Sequence, residues 1–371
     1  MSKRALGIIN IEPSYVHVEG IEDYRPISAT SFMGRYRIID FILSNLTNSG
    51  VNNIEVQVKN RPRSTIQHIQ RTDYNINTKR GHIRILHGEK PIPNEIYNTD
   101  VASLMANLKY FEEDNSPYVI LAPSHFIYVQ DFSKMLDYHI ESKNDITVLY
   151  QNVNSANEDF LMCDTFDIDE NKVITNIDKN LGKGKRAKVS LETYIMSKKI
   201  FIDMIYAALS TSSLYSLSDI IADGLDVFKI GGYLHTGYAA CISTLNSYYK
   251  ASMDIKNEKE LSNIFSDDWP IYTATNDTCP TTYTKTSNVS NCVVGNGCII
   301  EGTVENCVIG RNVVVKEGAV IKDSIIMPDA LINKNVKMDK CVVDRLAIVT
   351  HIKALNGSEH APLYVKRGDR I

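Results

Sequence analysis

The chain has 371 residues, 43% hydrophobic and 23% charged, enough for one large or two medium domains with sizeable cores. A formal charge of −4 and a pI near 6.2 give no basic surface for nucleic acid or acidic membranes, and no run reads as a signal peptide or membrane span. Seven cysteines with no C-x-x-C pair favour buried, reduced thiols over a disulfide framework or zinc site, and with them a cytoplasmic location.

Residues 4–9 read as a buried strand. It runs into Asn10-Ile11-Glu12-Pro13-Ser14-Tyr15, with Glu19 and Glu22 soon after and no glycine before Gly20. Close backbone approach to phosphate needs glycine, so a loop of proline, tyrosine and acid is a poor phosphate cradle. Residues 38–46 have helical periodicity, 53–58 read as a strand and 64–70 as a short helix. A strand over 118–122 ends at Pro123, a helix covers 131–142, and 145–150 is another strand. This alternation predicts an α/β fold with a mostly parallel sheet and helices on both faces. Ligands bind such sheets at the carboxyl ends of the strands, where the chain places Asn10 onward and Pro123-Ser124-His125.

The texture changes near residue 286. Val294, Ile300, Ile309, Val315 and Ile321 recur at steps of six with one interruption, separated by small and polar residues, and Ile332, Val343 and Val349 extend the pattern. A six-residue period predicts a left-handed parallel β-helix, one inward aliphatic per short strand. The expected division is therefore 1–250 for the α/β domain, 251–285 for a linker and 286–371 for the β-helix. Flat faces and open end coils make self-association an expectation too.

Three blocks carry a resemblance: Phe32-Met33-Gly34-Arg35-Tyr36-Arg37-Ile38-Ile39-Asp40-Phe41-Ile42-Leu43-Ser44-Asn45, Gln67-His68-Ile69-Gln70-Arg71, and Ser247-Tyr248-Tyr249-Lys250-Ala251-Ser252-Met253-Asp254. They resemble glucose-1-phosphate adenylyltransferases (ADP-glucose pyrophosphorylases) over nearly the whole chain. That resemblance implies synthesis of ADP-glucose and pyrophosphate from ATP and glucose 1-phosphate, with Mg²⁺ and positive charge stabilising the transferring phosphate.

The family's motifs also show what is missing. Its Gly-Gly-x-Gly-x-Arg-Leu loop falls on the region from Asn10, which has neither the glycine pair nor the arginine. Its metal-binding Gly-Asp-His turn falls on Pro123-Ser124-His125, and its second metal-binding aspartate on Cys241. A hydroxyl and a soft thiol are poor partners for a hard Mg²⁺ ion, so the resemblance implies no metal, no cofactor and no catalytic residue on this chain. The family's Gly-Thr-Ala-Asp falls on Thr99-Asp100-Val101-Ala102, displacing its carboxylate. Arg25 replaces its phosphate-directed lysine, and Glu22 and Asp23 stand where some members bind activators with basic residues. Lys59 replaces a nucleotide-contacting glutamine. Its Glu-Lys-Pro falls on Asp178-Lys179-Asn180, and its Ser-Met-Gly-Ile-Tyr on Ser190-Leu191-Glu192-Thr193-Tyr194. Residual substrate positions are then Arg25, Asp178, Lys179, Ser190 and Tyr194.

The whole pattern is similar to the noncatalytic regulatory subunits of this family. It implies a heterotetramer with a catalytic subunit that holds the Mg²⁺, acting in bacterial glycogen synthesis. The alternative is an active sugar-phosphate nucleotidyltransferase with an altered site. A hexapeptide acyltransferase is disfavoured, since such enzymes use a basic histidine and none lies between Val294 and Thr350. The cluster 183–188 (Lys183, Lys185, Arg186, Lys188) reads as an exposed loop or a receptor for a phosphorylated effector.

Overall fold

Strand β1 (Ala5–Asn10) forms the centre of the N-terminal domain because both of its faces are apolar. Leu6 and Ile8 point into one hydrophobic cluster while Ala5 and Ile9 point into another, as the two-residue period of a strand requires. The computed structural model describes residues 4–18, 20–58, 61–76, 79–87, 99–212 and 214–371. Glu19 and Lys59 lie outside them.

The remaining strands of this sheet are β2 (Asn53–Val58), β3 (His82–His87), β4 (Tyr118–Pro123), β5 (Ile146–Val153), β6 (Asp164–Ile168), β7 (Ile174–Lys179), β8 (Ala187–Ser197) and β9 (Ile230–His235). Their order is β7-β6-β8-β4-β1-β2-β3, with β5 pairing β8 and β9 pairing β5. The run β4-β1-β2-β3 and the pair β5-β9 are parallel, while β8 runs antiparallel to β4, β5 and β6. Helices Ile38–Asn48 and Phe132–Ser142 cover one face, and Asp100–Ala106 and Lys198–Thr211 the other. Beside the sheet, Phe126–Tyr128 and Ala239–Cys241 form a two-stranded antiparallel ribbon that sets Cys241 opposite Phe126, next to Ser124 and His125.

The first of these helices shows why its motif persists. Asp40 accepts the backbone N–H of Arg37 (2.9 Å) at the helix start, and its other oxygen accepts from His68 Nε2 (2.5 Å) and the Tyr74 hydroxyl (2.7 Å). One buried carboxylate thus caps a helix and ties two distant segments to it.

The C-terminal domain is a parallel β-helix of three five-stranded sheets. Of the periodic aliphatics, Ile300, Ile309, Val315, Ile321, Ile332, Val343 and Val349 are all buried in its core, and Val294 in the open end coil is half-buried. One corner repeats a left-handed residue in successive coils: Asn291 (φ 49°), Asn306 (58°), Asp323 (42°) and Lys340 (51°). Among residues with a side chain, asparagine and aspartate tolerate that conformation best. The first β-helix strand is Thr282–Tyr283, ahead of the expected 286, and the expected boundary at 250 falls inside helix Leu245–Asp254.

The two domains share a core. Val308, Ile325 and Val342 point outward from one β-helix face and pack with Val18, Phe32, Phe41 and Tyr248 of the first domain. Gly34 (φ +69°) permits this approach, because a Cβ there would lie 2.7 Å from the Ile309 carbonyl oxygen. Arg25 also belongs to this interface. Its guanidinium pairs with Asp344 Oδ1 of the β-helix at 2.7 Å, both side chains being buried, and the Tyr364 hydroxyl donates to the other oxygen at 2.6 Å. Among the described residues no helix is long and apolar enough to cross a membrane.

Candidate functional site

The carboxyl ends of β1 and β4 meet the ribbon, β8 and the loop 11–18, and at this meeting the site is filled by the chain itself. The loop after β1 turns at Pro13, and the backbone N–H of His17 donates to Ser243 (2.8 Å), which fastens the loop beside the ribbon. Tyr15 is thereby driven inward. Its hydroxyl donates to Glu192, and it lies 3.2 Å from His125 Nε2 and 3.6 Å from Cys163 Sγ. The Cys163 sulfur is in turn 3.8 Å from that of Cys241. Where a glycine loop would leave room for phosphate, an aromatic ring and four polar side chains close the space.

The electrostatics are those of a closed acidic pocket. Burial pushes Glu192 up to about 7, although its bond from Tyr15 works against that rise. Burial also raises Asp100 and Asp164. Asp100 accepts from Asn10 Nδ2 (3.0 Å) and from the backbone of Leu217 (3.2 Å), so the residue ending β1 is engaged as well. His125 is fully buried and pushed down to about 3, which keeps its ring neutral. With Tyr15 donating to Glu192, the His125 proton belongs on Nε2, facing the tyrosine oxygen. Among the described residues neither its Nδ1 nor Ser124 Oγ beside it has a hydrogen-bond partner.

The residues singled out from sequence fall into three places. Ser124, Cys241, Ser190 and Tyr194 gather at the closed pocket, all buried, with Ser190 Oγ accepting the Glu192 N–H at 3.0 Å. Lys179 stands at its edge, paired to Asp164 at 2.5 Å. Burial works against that ammonium, but the carboxylate outweighs it and holds the lysine above its ordinary pKa. Asp178, next in the strand, is exposed and bonded to Asn176 (2.7 Å); successive strand residues face opposite ways, so it does not join Lys179. Arg25 is likewise elsewhere, paired with Asp344 at the domain interface and lining the cavity between the domains. The 183–188 loop is exposed, apart from half-buried Ala187 and Lys188.

Residues at the family's metal positions do not fit Mg²⁺. Ser124 offers a neutral hydroxyl and Cys241 a buried thiol in contact with another thiol, whereas the ion asks for charged or carbonyl oxygens. Among the described residues no group of three or more His, Cys, Asp or Glu side chains is placed to hold a metal.

A second cavity, of about 620 Å³, opens between the domains. Arg35, Arg37, Arg63 and Arg71 line it from the first domain, Arg311 and Arg345 from the β-helix. Desolvation pushes Arg37 down to about 10; Asp40 resists this, and the neighbouring Arg345 and Arg25 add to it. Arg311 is lowered by desolvation and by Arg35. Arg345 pairs with Asp329 at 2.8 Å, leaving an excess of cations. Sequence reading missed this cleft. The signal was present in the crowding of Arg35, Arg37, Arg61, Arg63 and Arg71, but only folding adds the β-helix pair.

Residues 25–258 match the family model of nucleotidyl transferases, and residues 278–357 match that of the GlmU-like C-terminal hexapeptide. The glycogen biosynthesis protein GlgD of Bacillus subtilis is 28% identical, covering 99% of this chain and 97% of its own length. The glucose-1-phosphate adenylyltransferase of Lachnospira eligens is 30% identical over 78% of this chain and 69% of its own. With fold, motif order and both domains in agreement, the chain belongs to the glucose-1-phosphate adenylyltransferase family of nucleotidyl transferases.

Proposed function

We propose that this chain is a regulatory and assembly subunit of glucose-1-phosphate adenylyltransferase in bacterial glycogen biosynthesis, itself without appreciable turnover. The observation that carries the reading is Tyr15. Nucleotidyl transfer needs a phosphate cradle, metal-holding carboxylates and room for an in-line attack. Here the cradle's place is taken by a tyrosine bonded into Glu192 and His125, over a hydroxyl and a thiol where the metal would be held. Each missing element is worth several kcal/mol of transition-state stabilisation, and because they act together the losses are not summed.

The arginine cleft supports the regulatory half of the reading. It is open, cationic and built from both domains, so an anionic ligand there would alter how the β-helix sits on the first domain. A phosphorylated metabolite matches its chemistry. Assembly with a catalytic subunit, as a heterotetramer in which that partner holds the Mg²⁺, completes the proposal.

The test is ADP-glucose synthesis by the purified chain, by the catalytic subunit of the same organism, and by the mixture. The expected result is silence alone and a mixture that exceeds the catalytic subunit in maximal rate or substrate affinity. Mg²⁺-dependent turnover by this chain alone would refute the reading and favour the altered-site transferase.

A further inference from the structure

One corner of the β-helix stacks a column of small polar side chains, one per coil: Cys292, Cys307, Ser324 and Cys341, in the register of the neighbouring Val293, Val308, Ile325 and Val342. Each donates to the carbonyl two residues before it, at 3.0 Å for Cys292 and Cys307, 2.5 Å for Ser324 and 3.3 Å for Cys341. That bond explains a small hydroxyl or thiol in these four coils, Leu363 taking the place in the fifth. It does not explain two successive thiols at the open end, since serine serves as well.

Cys292 lies near the open N-terminal end of the β-helix and is half-buried, whereas Cys307 beneath it is fully buried. The Cys292 sulfur accepts the backbone N–H of Cys307 at 3.4 Å. The ammonium of Lys256, hydrogen-bonded to Asn306, adds positive charge beside it. Contact with the Cys307 thiol, that N–H and the lysine together push Cys292 down to about 7, against burial. Partly exposed thiols in electropositive surroundings are the reactive ones. In-register residues of adjacent coils lie about 4.8 Å apart at Cα, inside the roughly 4.4–6.8 Å span that a disulfide bridges.

We infer that Cys292 and Cys307 are a dithiol pair oxidised by low-molecular-weight disulfides, Cys292 being the entry thiol and Cys307 the resolving one. The Cys292 thiolate attacks one sulfur of the small disulfide, forming a mixed disulfide and expelling one thiolate, which takes up a proton. The Cys307 sulfur, its proton passing to the departing group, then attacks Cys292 and expels the second small thiol. Two protein thiols lose two electrons and two protons, and the small disulfide becomes two thiols. The product staples the end coil to its neighbour and closes a free edge against fraying. The other candidates lack this geometry: Cys279 is exposed but alone, and Cys163 and Cys241 are buried in the filled pocket.

The experiment treats the intact Cys279→Ser chain with glutathione disulfide at pH 7.5 and follows with thiol alkylation and mass spectrometry. Cleavage at Glu301 and Glu305 with fragmentation assigns the bond. The expected result is loss of two alkylatable thiols without retained glutathione, with the bond joining Cys292 to Cys307. Cys307→Ser should keep a stable glutathione adduct on Cys292, and Cys292→Ser should show neither product, circular dichroism confirming that both variants fold. Full alkylation of native protein after treatment, a lasting adduct on Cys292 with Cys307 present, or a bond between other cysteines would each overturn the inference.

Discussion

Two polar regions of this molecule differ in kind. At the strand ends, acids and an aromatic ring meet and bond to their neighbours. Between the domains, arginines converge, repel one another and leave about 620 Å³ open. A pocket whose acids are bonded to their neighbours has no demand for an anion. A pocket whose like charges are held together by the fold does, because an anion removes a cost that the empty site bears. On the proposed function the comparison separates two properties that an active nucleotidyl transferase combines, chemistry being given up at one place and anion recognition kept at the other.

The cleft exists because the domains are clamped, and the clamp is the largest handle on it. Arg25→Ala leaves Asp344 buried without its cation, and breaking such a pair costs about 3–5 kcal/mol. Urea unfolding should show that loss, whereas the double change Arg25→Met with Asp344→Asn should recover most of it. Failure of the double change to recover stability would mean the interface depends on the guanidinium's shape rather than on charge balance.

The filled pocket should respond to pH instead. Glu192 has a native pKa of about 7, above its unfolded value, so the native state holds the proton more tightly. Stability from this group is therefore full below about pH 4.5 and is lost as pH rises to about 7 and beyond. Some 2.5 units at about 1.36 kcal/mol each give a penalty of up to about 3 kcal/mol at pH 8. Glu192→Gln keeps an acceptor for Tyr15 and removes the penalty. The variant should be more stable than the parent at pH 8 and equal to it near pH 4, in paired denaturation curves. Equal curves at both pH values would mean that the carboxylate is solvated and the pocket less closed than its geometry implies.

How much of this contrast the sequence disclosed follows from what kind of signal each region carries. The β-helix was legible because its period is local: Ile300, Ile309, Val315 and Ile321 announce inward positions without knowledge of any partner. The central strands were legible for the same reason, and the loss of the glycine loop was visible as composition. What Tyr15 does was not. A tyrosine after a strand could lie on the surface, and only its bonds to Glu192, 177 positions away, and His125, 110 away, make it a plug. Arg25 went to the wrong place because motif alignment preserves order, not direction. Its partner Asp344 lies 319 positions on, in the other domain.

Anion binding at the cleft should give a smaller effect. Inorganic phosphate at ten times its dissociation constant would stabilise the native state by about 1.4 kcal/mol, and the rise in Tm should fade with added chloride. Arg311→Ala should weaken that rise, since Arg311 approaches from the β-helix side and, among the described residues, makes no ion pair of its own. Arg186→Ala, in the exposed 183–188 loop, should leave it unchanged. An equal loss in both variants would mean that the response is general screening and the cleft is not a site.

The smallest expected effect is the most discriminating. If activity were missing only for want of metal ligands, Ser124→Asp with Cys241→Asp would restore Mg²⁺-dependent ADP-glucose synthesis. The geometry says otherwise. Cys241 lies against Cys163, which Tyr15 already contacts, Ser124 is buried, and Glu192 sits at φ +48°, a backbone conformation better suited to the glycine that family members have there. Two more carboxylates would add charge to a pocket where burial already raises Asp100, Asp164 and Glu192. The double variant should therefore stay inactive under assay conditions that detect the catalytic subunit, and it should unfold more readily at pH 8 than at pH 5. Recovery of turnover would place the defect in two side chains and not in the loop after β1, and would return the filled pocket to the class of dormant active sites.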